Sequence, residues 1–446
     1  MIRALYSLLT WLAQPLLRRK LARRARVEPG YAVAVEERFG HYSMPPDAGR
    51  LWIHAVSLGE ARAAGILLEH LRAAWPGLRL LLTHGTATGR AEGAKLLQPG
   101  DLQVWQPWDT PQVVQRFLDH FRPSMDVLME TEIWPNLVAG CAARGVPVAS
   151  ANARLNERSF RQALRLRWLS RPAYSALSAV WAQTADDAGR LQALGAPVAG
   201  VFGNLKFDAT PDPAQLETGR RWRQAAGRPV VLLASSREGE EEAFLEQILP
   251  VPVANGSSAA TKKEVTSAPA AGVSAVQWLI VPRHPQRFDE VAQRIEARGL
   301  RVSRRSTWGD QPPPGPDSDS GAVQIWLGDS LGEMAAYYAL ADLALLGGSF
   351  EPLGGQNLIE AAACGCPVVM GPHTFNFAQA AELAQAGGAA VAVRDMAEAV
   401  QRAQQWVNDP AHQAQRAAAA LAFAAAHRGA ASRTSQAIVA LARTRH

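Results

Sequence analysis

The chain has few cysteines and lacks several well-known catalytic motifs. Its three cysteines, Cys141, Cys364 and Cys366, are a small and odd number that argues against a disulfide framework and fits a reducing cytoplasm. The lysine-containing phosphate loop of NTPases, the Gly-x-Ser-x-Gly nucleophile elbow and the zinc-binding His-Glu-x-x-His motif are all absent. These absences argue against a disulfide-stapled secreted domain, a P-loop NTPase, an α/β-hydrolase and a zinc protease.

The overall composition is that of a folded globular protein with a positive charge. With 48% hydrophobic and 19% charged residues, the chain resembles neither a disordered nor a fibrous protein. Its 446 residues predict two domains rather than one core. A formal net charge of +6 is compatible with an anionic partner, which would be nucleic acid, a phospholipid surface or a phosphorylated substrate.

The first 26 residues form a segment of their own. Residues 4–17 carry no charge and are rich in leucine, and six basic residues follow between Arg18 and Arg26. The apolar run is shorter than the roughly 20 residues of a spanning helix, and its charge order is the reverse of a cleavable signal peptide. We therefore expect a membrane-associating helix whose basic flank binds anionic head groups. A soluble helix packed on its own domain is the alternative.

From residue 51 onward, short apolar runs alternate with helical patterns, which predicts parallel sheets built from βαβ units. Strands are expected at 51–55, 78–82, 102–105, 126–129, 146–149, 179–182, 198–201, 230–234, 278–281, 323–327, 343–346, 367–370 and 389–393. The fold class is therefore α/β, with a first domain over 27–207, a polar linker over 208–228 and a second domain over 229–446 that ends in closing helices. Two small, polar, proline-rich stretches, 251–272 and 311–320, are expected to be surface insertions.

Polar residues follow the strands of the first domain, at the sheet edge where ligands of parallel sheets bind. Glu60 opens the helix after the first strand and is either a helix-start charge or a general base. Glu130 and Glu132 end another strand among apolar groups that would perturb their proton affinity, or else they are helix-start charges beside an aromatic lid. Lys206 lies where the chain leaves this domain, and it either neutralises a phosphate or carboxylate of a donor or pairs with Asp208 or a cleft glutamate.

The second domain carries candidate anion-binding residues. Arg283 and His284 follow a predicted strand, and an arginine in that position can bind a phosphate through two parallel hydrogen bonds. Gly332, Glu333 and Met334 stand at the start of a helix, where their backbone could meet a base or a ribose.

Residues 341–377 are predicted to form a strand, a glycine turn, a helix and a second strand. Gly348 and Ser349 lie in the turn. The glycines where the helix begins, Gly354 and Gly355, would place bare backbone N–H groups and the positive helix end beside a phosphate. Glu360 would accept a hydrogen bond from a ribose hydroxyl. Asn357 and Glu360 also have the spacing of a capping box, which would satisfy only the helix itself, although the glycine density favours a nucleotide. The Asp-x-Asp sequence at 317–319 lacks a preceding strand, so no metal site is predicted.

Taken together, ten blocks of sequence resemble the 3-deoxy-D-manno-octulosonic acid (Kdo) transferases, GT-B glycosyltransferases of lipid A assembly. The blocks are WIHAVSLGE (52–60), METEIWPN (129–136), NARLNERS (152–159), GNLKFD (203–208), ASSREGEE (234–241), PRHPQRF (282–288), GEM (332–334), GGSF (347–350), GGQNLIEAAACGCPV (354–368) and GPHTFNF (371–377). The resemblance implies two facing Rossmann-like domains with a central cleft. It also implies an inverting transfer of Kdo from CMP-Kdo to lipid IVA, without metal or other cofactor, at the cytoplasmic face of the inner membrane of a Gram-negative cell.

The resemblance also implies roles for single residues. Glu60 would be the general base, and Glu130 and Lys206 would support the charged transition state. The CMP part of the donor would be bound by Arg283, His284, Gly332, Glu333, Met334, Gly348, Ser349, Asn357 and Glu360.

Three alternatives remain at this point. A different membrane-associated GT-B transferase, similar to lipid-A-disaccharide synthase, would use a UDP-sugar, and a sugar-nucleotide epimerase would share the fold. A basic nucleic-acid-binding protein is disfavoured because the arginines cluster in the N-terminal segment and no nucleic-acid motif is recognised. No nucleic-acid partner is therefore expected.

Overall fold

The structure is a computed structural model that describes residues 2–249, 276–309 and 324–444. The predicted insertions at 251–272 and 311–320, and the Asp-x-Asp sequence at 317–319, lie outside these residues. The chain divides into two units, one formed by Met1–Asp208 with His427–His446 and the other by Ala209–Ala426.

The first unit contains a seven-stranded, fully parallel sheet in the order β3-β2-β1-β4-β5-β6-β7. Its strands are β1 (Leu51–His54), β2 (Leu80–His84), β3 (Leu102–Trp105), β4 (Met125–Met129), β5 (Val148–Ala153), β6 (Ala179–Ala182) and β7 (Val198–Val201). The order reverses between β1 and β4, and such a switch point leaves a crevice at the carboxyl ends of the strands. Glu60 and Glu130 follow these two strands, so the fold brings both carboxylates to the crevice.

Helices cover both faces of this sheet. They are α1 (Ile2–Leu12), α2 (Gln14–Ala25), α3 (Leu58–Ala74), α4 (Ala87–Ala94), α5 (Pro111–Phe121), α6 (Pro135–Ala143), α7 (Glu157–Arg165), α8 (Arg167–Ser175) and α9 (Ala185–Ala193), with short 3-10 turns at Pro29–Ala32, Val35–Phe39 and Leu205–Asp208. Because neighbouring residues of a strand point to opposite faces, Trp52 joins the core on one side, where its ring lies 4.5 Å from that of Phe117. Ile53 joins the core on the other side with Leu67.

The second unit repeats the plan with the order β10-β11-β9-β8-β12-β13-β14, again fully parallel. The strands are β8 (Val230–Ser236), β9 (Gln277–Pro282), β10 (Arg301–Arg304), β11 (Gln324–Leu327), β12 (Leu343–Leu346), β13 (Val368–Met370) and β14 (Ala390–Ala392). The helices are α10 (Pro213–Ala225), α11 (Glu240–Ile248), α12 (Phe288–Glu296), α13 (Met334–Leu340), α14 (Leu358–Ala363), α15 (Ala378–Ala386), α16 (Met396–Val407) and α17 (Pro410–Ala426), with 3-10 turns at Pro285–Arg287 and Arg305–Thr307. The switch point lies between β8 and β12.

Residues 208–228, predicted to be a linker, are mostly helix α10. The Asp212 carboxylate accepts a hydrogen bond from the N–H of Ala214 and caps the helix, and Pro213 occupies its first turn. Trp222 is buried, and a Cβ at Gly219 would lie 2.2 Å from the carbonyl oxygen of Ala336. The prediction failed because polar side chains predominate in α10, and one buried tryptophan gives little helical pattern.

The last helix, α18 (Ala430–Arg443), belongs to the first unit, although the sequence placed it in the second domain. Ala430 and Ile438 are fully buried and join the core that contains Leu205. The Asp208 carboxylate accepts hydrogen bonds from the N–H groups of Gly429 and Ala431, the latter at 2.7 Å. Amides at a helix start have no partner within the helix, so this one partly buried carboxylate helps to fix the helix to the first unit.

The N-terminal helix α1 packs on the first unit through its polar side. The Tyr6 hydroxyl donates to Asp109 Oδ2 at 2.8 Å, and the Ser7 hydroxyl donates to Asn136 Oδ1 at 2.9 Å. The carbonyl oxygen of Thr10 accepts from the indole N–H of Trp108 at 2.9 Å. The leucines of α1 consequently lie on the opposite, exposed side.

Among residues 2–249, 276–309 and 324–444, every helix is too short or too polar to cross a lipid bilayer.

Candidate active site

Glu60 lies in the first turn of α3, directly beyond β1. Ser57 is the N-cap of this helix, and its hydroxyl donates to Glu60 Oε1 at 3.0 Å while the N–H of Val56 donates to Oε2 at 2.9 Å. These contacts give Glu60 the helix-start role that the sequence offered as one interpretation. They also fix the carboxylate in one position, which is what a general base requires.

The surroundings of Glu60 disfavour its charged form. The side chain is 9% exposed, and burial is the largest cause that raises its pKa from the ordinary 4.5 to about 7. The negative charge of Glu130 adds to this effect, the hydrogen bonds from Val56 and Ser57 oppose it, and Glu132 contributes a smaller increase. A carboxylate with a pKa near neutrality can take a proton from a hydroxyl group and release it again at physiological pH.

Glu130 follows β4 and has a left-handed backbone, with φ of 57°. Its side chain is buried, and the Arg154 guanidinium donates to Oε2 at 2.7 Å. Lys206 Nζ lies 4.0 Å from Oε1. Of the interpretations offered for Lys206, the structure shows the pairing with a cleft glutamate, and that glutamate is Glu130. A non-glycine residue in this conformation costs about 1–3 kcal/mol and is typical of functional sites.

Glu132 lies two residues further on and is held by its neighbour Trp134, whose indole N–H donates to Oε2 at 3.0 Å. Burial raises the pKa of Glu132, and this hydrogen bond opposes the change. The structure therefore brings Glu60, Glu130 and Glu132 together, as the sequence predicted. Arg154 also belongs to this group: the sequence places it at the end of a predicted strand but assigns it no role in the site.

In the second unit, Arg283 and His284 follow β9 and are partly exposed. Burial lowers the pKa of His284, and the positive charges of Arg237 and Arg283 lower it further. Like charges close enough to repel a proton from the imidazole mark a locally positive surface. The surface formed by Arg237, Arg283 and His284 can therefore bind an anion.

Gly348 and Ser349 form the turn after β12. The N–H of Gly348 and the hydroxyl of Ser349 both have hydrogen-bond partners inside the protein. The N–H of Gly348 donates to Glu240 Oε2 at 2.7 Å, and the buried Ser349 hydroxyl accepts from the N–H of Gly371 at 2.8 Å. The N–H of Gly348 and the hydroxyl of Ser349 therefore have structural roles inside the protein, and the predicted contacts of these two residues with the donor stay predictions. Glu240, which sequence reasoning missed, also accepts from the N–H of Phe350 at 3.1 Å.

The neighbouring Gly347 is required by close packing. A Cβ at this position would lie 2.3 Å from the carbonyl oxygen of Ser235, the residue near the end of β8. The glycine turn thus lets β8 and β12 approach at the switch point.

Asn357 and Glu360 show the capping contacts that were the alternative interpretation. Asn357 Oδ1 accepts from the N–H of Ile359 at 3.2 Å, and its amide donates to Glu360 Oε1 at 3.0 Å. Glu360 stays partly exposed. Its predicted contact with a ribose hydroxyl remains a prediction.

Gly332, Glu333 and Met334 lead into α13. Glu333 Oε1 accepts from the Arg305 guanidinium at 2.9 Å, and its other oxygen accepts from the hydroxyl of Ser330. Met334 Sδ lies 4.0 Å from the hydroxyl of Ser235 at the end of β8. This segment is therefore close to the switch point of the second unit, where a nucleotide would bind.

Comparisons with known proteins agree with this arrangement. A family model described as 3-deoxy-D-manno-octulosonic-acid transferase (kdotransferase) matches residues 34–209, and one described as glycosyl transferases group 1 matches residues 320–422. A 3-deoxy-D-manno-octulosonic acid transferase of Bordetella pertussis is 44% identical over 98% of each chain. A protein of the same name from Haemophilus influenzae is 31% identical over 90% of each chain. The crystal structure of UDP-GlcNAc 2-epimerase from Neisseria meningitidis bound to UDP-GlcNAc superposes with a TM-score of 0.53 and 12% sequence identity. The match covers 89% of this chain and 100% of the epimerase chain, so the two proteins share the fold.

Proposed function

The chain belongs to the Kdo transferase family of GT-B glycosyltransferases, and we propose that it transfers Kdo from CMP-Kdo to lipid IVA in one inverting, metal-independent displacement. The observation that carries this mechanism is the position and proton affinity of Glu60. A fixed carboxylate with a pKa of about 7, at the switch point of a parallel sheet, is suited to activate a hydroxyl nucleophile.

In the proposed step, the acceptor hydroxyl gives its proton to Glu60. The hydroxyl oxygen forms a bond to the anomeric carbon of Kdo from the face opposite the leaving group. The bond from that carbon to the phosphate oxygen breaks, and its electron pair departs with CMP. Configuration is inverted because a single displacement occurs. Glu130 keeps the proton affinity of Glu60 high, and Arg154 and Lys206 compensate the charge of Glu130.

The proposed donor is supported by the positive surface of the second unit. CMP leaves with a single phosphate, whose charge Arg283 and His284 can stabilise by hydrogen bonds and electrostatic attraction. The repulsion that Arg237 and Arg283 exert on protonated His284 would be relieved by an anion beside them. Stabilisation of this kind requires no divalent metal ion.

The proposed site of action, an anionic membrane surface at the cytoplasmic face of the inner membrane, is supported by α1. Its outer side carries large apolar side chains that are half exposed or more, namely Leu5, Leu8, Leu9, Trp11 and Leu12, and Leu16 in α2 is 65% exposed. A soluble helix normally buries such residues. Here the hydrogen bonds of Tyr6 and Ser7 hold the helix with its polar side inward.

A second exposed apolar group lies where α7 meets α8 in the same unit. Leu166 and Trp168 are 55% and 63% exposed. Trp168 and Arg3 of α1 line a common groove. Basic residues of α2 follow the apolar side of α1, and this combination of apolar and basic groups is typical of helices that bind in the interface of anionic membranes.

The test is Kdo transfer from CMP-Kdo to lipid IVA in neutral detergent micelles that contain EDTA. The wild-type protein is expected to raise the acceptor mass by the mass of one Kdo for each transfer, and the number of additions is read from the product. A UDP-sugar supplied instead of CMP-Kdo is expected to give no product. If a folded, monodisperse wild-type protein transfers no Kdo, the proposed reaction is wrong.

A further inference from the structure

A pocket of about 300 Å³ opens in the first unit next to the Glu60 segment. One wall is formed by a single face of α2, where Leu17, Lys20, Leu21 and Arg24 recur at helical spacing. The buried side is formed by residues that follow the strands, and Val56 is one of them. The pocket is lined entirely by residues of the first unit.

The polar groups of this pocket are predominantly hydrogen-bond donors. Lys20, Arg24 and Arg38 supply three cationic side chains. Among the described residues that line the pocket, Glu132 is the one acidic side chain, and its Oε2 is already bonded to the Trp134 indole. The pocket is therefore cationic and suited to an anion.

Two buried donors in the pocket wall have no acceptor. Arg38 and Gln106 are each 8% exposed, and within the described part of the chain neither Arg38 Nε nor Gln106 Nε2 has a hydrogen-bond partner. Buried polar groups are nearly always paired, so two unpaired donors in one pocket indicate a ligand that supplies acceptor oxygens.

Arg38 is held rigidly in this position. Its guanidinium lies 3.8 Å from the ring centroid of Trp105, and Nη2 donates to the carbonyl oxygen of Gly85 at 3.0 Å. Burial lowers its pKa only to about 10, so it remains protonated at neutral pH. A fixed, charged guanidinium with a free N–H is well suited to bind a phosphate oxygen.

The pocket and the candidate base share one residue. Val56 lines the pocket, and its N–H donates to Glu60 Oε2 at 2.9 Å. The carbonyl oxygen of Val56 accepts from the N–H groups of Gly85 and Thr86 at 3.1 and 3.0 Å, and both of these residues also line the pocket. An anion bound here would therefore lie close to the carboxylate that receives the acceptor proton.

We propose that this pocket binds a phosphate monoester of the acylated sugar acceptor and so determines which acceptor hydroxyl faces Glu60. The inference rests on the proposed function. The exposed apolar side chains of α1, and Leu16 in the first turn of α2, lie on the outer side of the segment formed by these two helices. An acceptor whose phosphate is held by Lys20, Arg24 and Arg38 can thus keep its acyl chains at the apolar surface. The anionic head group of a bilayer phospholipid offers similar chemistry and is the competing ligand.

The test uses the Lys20→Gln/Arg24→Gln variant, because both side chains are exposed and their loss does not disturb the core. Binding and transfer are measured in neutral micelles with the bisphosphorylated acceptor and with the same acceptor after phosphatase treatment. We expect the KM and the Kd of the variant for the phosphorylated acceptor to rise about tenfold or more, as loss of charge-assisted hydrogen bonds predicts. Values for the dephosphorylated acceptor are expected to stay within twofold of wild type.

The Arg19→Gln/Arg23→Gln variant is the matched control, since it removes the same charge from residues of α2 that do not line the pocket. It is expected to keep the wild-type preference for the phosphorylated acceptor. Arg38→Lys retains the charge but lacks Nε, and it is expected to weaken the same preference. Equal losses in both double variants, or equal losses for both acceptors, would overturn the proposal.

Two further outcomes separate this inference from the proposed reaction. If wild type binds the phosphorylated acceptor preferentially and the variant does not, the pocket assignment stands even when no Kdo is transferred. If phosphatidylglycerol added to the micelles abolishes the preference of wild type for the phosphorylated acceptor, the pocket binds bilayer head groups and the assignment to the acceptor is wrong.

Discussion

Replacing Glu60 by glutamine is expected to make the protein inactive and, at alkaline pH, more stable. The substitution removes the charge and keeps the shape of the side chain. The amide oxygen of glutamine can still accept from the N–H of Val56, and its NH2 group can donate to the Ser57 hydroxyl, so the contacts at the start of α3 are retained. A residue that only caps the helix would show no such opposition between stability and activity.

The expected magnitude follows from the pKa of Glu60. A change from 4.5 to about 7 corresponds to ~3 kcal/mol of difference between the two protonation states. Between these two pH values the folded protein retains a proton that the unfolded chain has released, so wild-type stability falls as the pH rises through this window. Above pH 7 the full loss of stability caused by the charged Glu60 carboxylate is present. Glu60→Gln should therefore match wild type near pH 4 and exceed it by up to ~3 kcal/mol at pH 8, or roughly 6–12 °C in melting temperature.

The assays are thermal unfolding and kcat/KM for Kdo transfer across the same pH range. Wild-type kcat/KM is expected to fall tenfold per pH unit below about 7, and Glu60→Gln to lower it about 10²–10⁴-fold at pH 8. Glu398→Gln is the matched control, because Glu398 occupies the same position in α16 but its pKa is lowered by contacts with Arg394. A Glu60→Gln protein that is less stable than wild type at pH 8, or that keeps the wild-type pH profile, would refute the reasoning.

Three further outcomes can be checked with the same preparations. Glu130→Gln removes a charge that raises the pKa of Glu60, so the acidic limb of the kcat/KM profile should move to lower pH, and an unmoved limb would contradict the assigned electrostatics. Kdo transfer is expected to keep its rate in excess EDTA, whereas restoration of a lost rate by Mg²⁺ would show that a metal participates. Leu8→Gln/Leu9→Gln should weaken cosedimentation with anionic vesicles without lowering the melting temperature, since both side chains are more than half exposed. Leu421→Gln, a similarly exposed leucine of the second unit, should leave vesicle binding unchanged.

Much of the fold could be predicted because buried parallel strands are short apolar runs bounded by turns. Four strands, Leu102–Trp105, Ala179–Ala182, Val198–Val201 and Leu343–Leu346, have the predicted bounds. The strand Arg301–Arg304 was missed, since it is at the edge of its sheet, is only partly buried and has the sequence Arg-Val-Ser-Arg. Edge strands tolerate charge, and their sequences therefore resemble loops.

The candidate site was predictable where it depends on chain direction and not where it depends on distant contacts. The ends of parallel strands located Glu60 and Glu130 without knowledge of the partners of either. The internal hydrogen bond of Gly348 could not be foreseen, because the carboxylate that accepts from its N–H, Glu240, precedes it by 108 residues. Local sequence equally gave no sign that Arg38 and Gln106 line one pocket with α2.

The attachment of α18 to the first unit sets an order of folding during synthesis. Gly429, whose N–H donates to the Asp208 carboxylate, is added to the chain 221 residues after Asp208. This separation corresponds to roughly 10–40 s at typical ribosomal rates. For that interval the apolar surface that Ala430 and Ile438 later cover is open to chaperones. The second unit is one continuous stretch and can complete its core on the ribosome. The nascent chain can therefore complete the core of the second unit before that of the first unit, although the first unit begins earlier in the sequence.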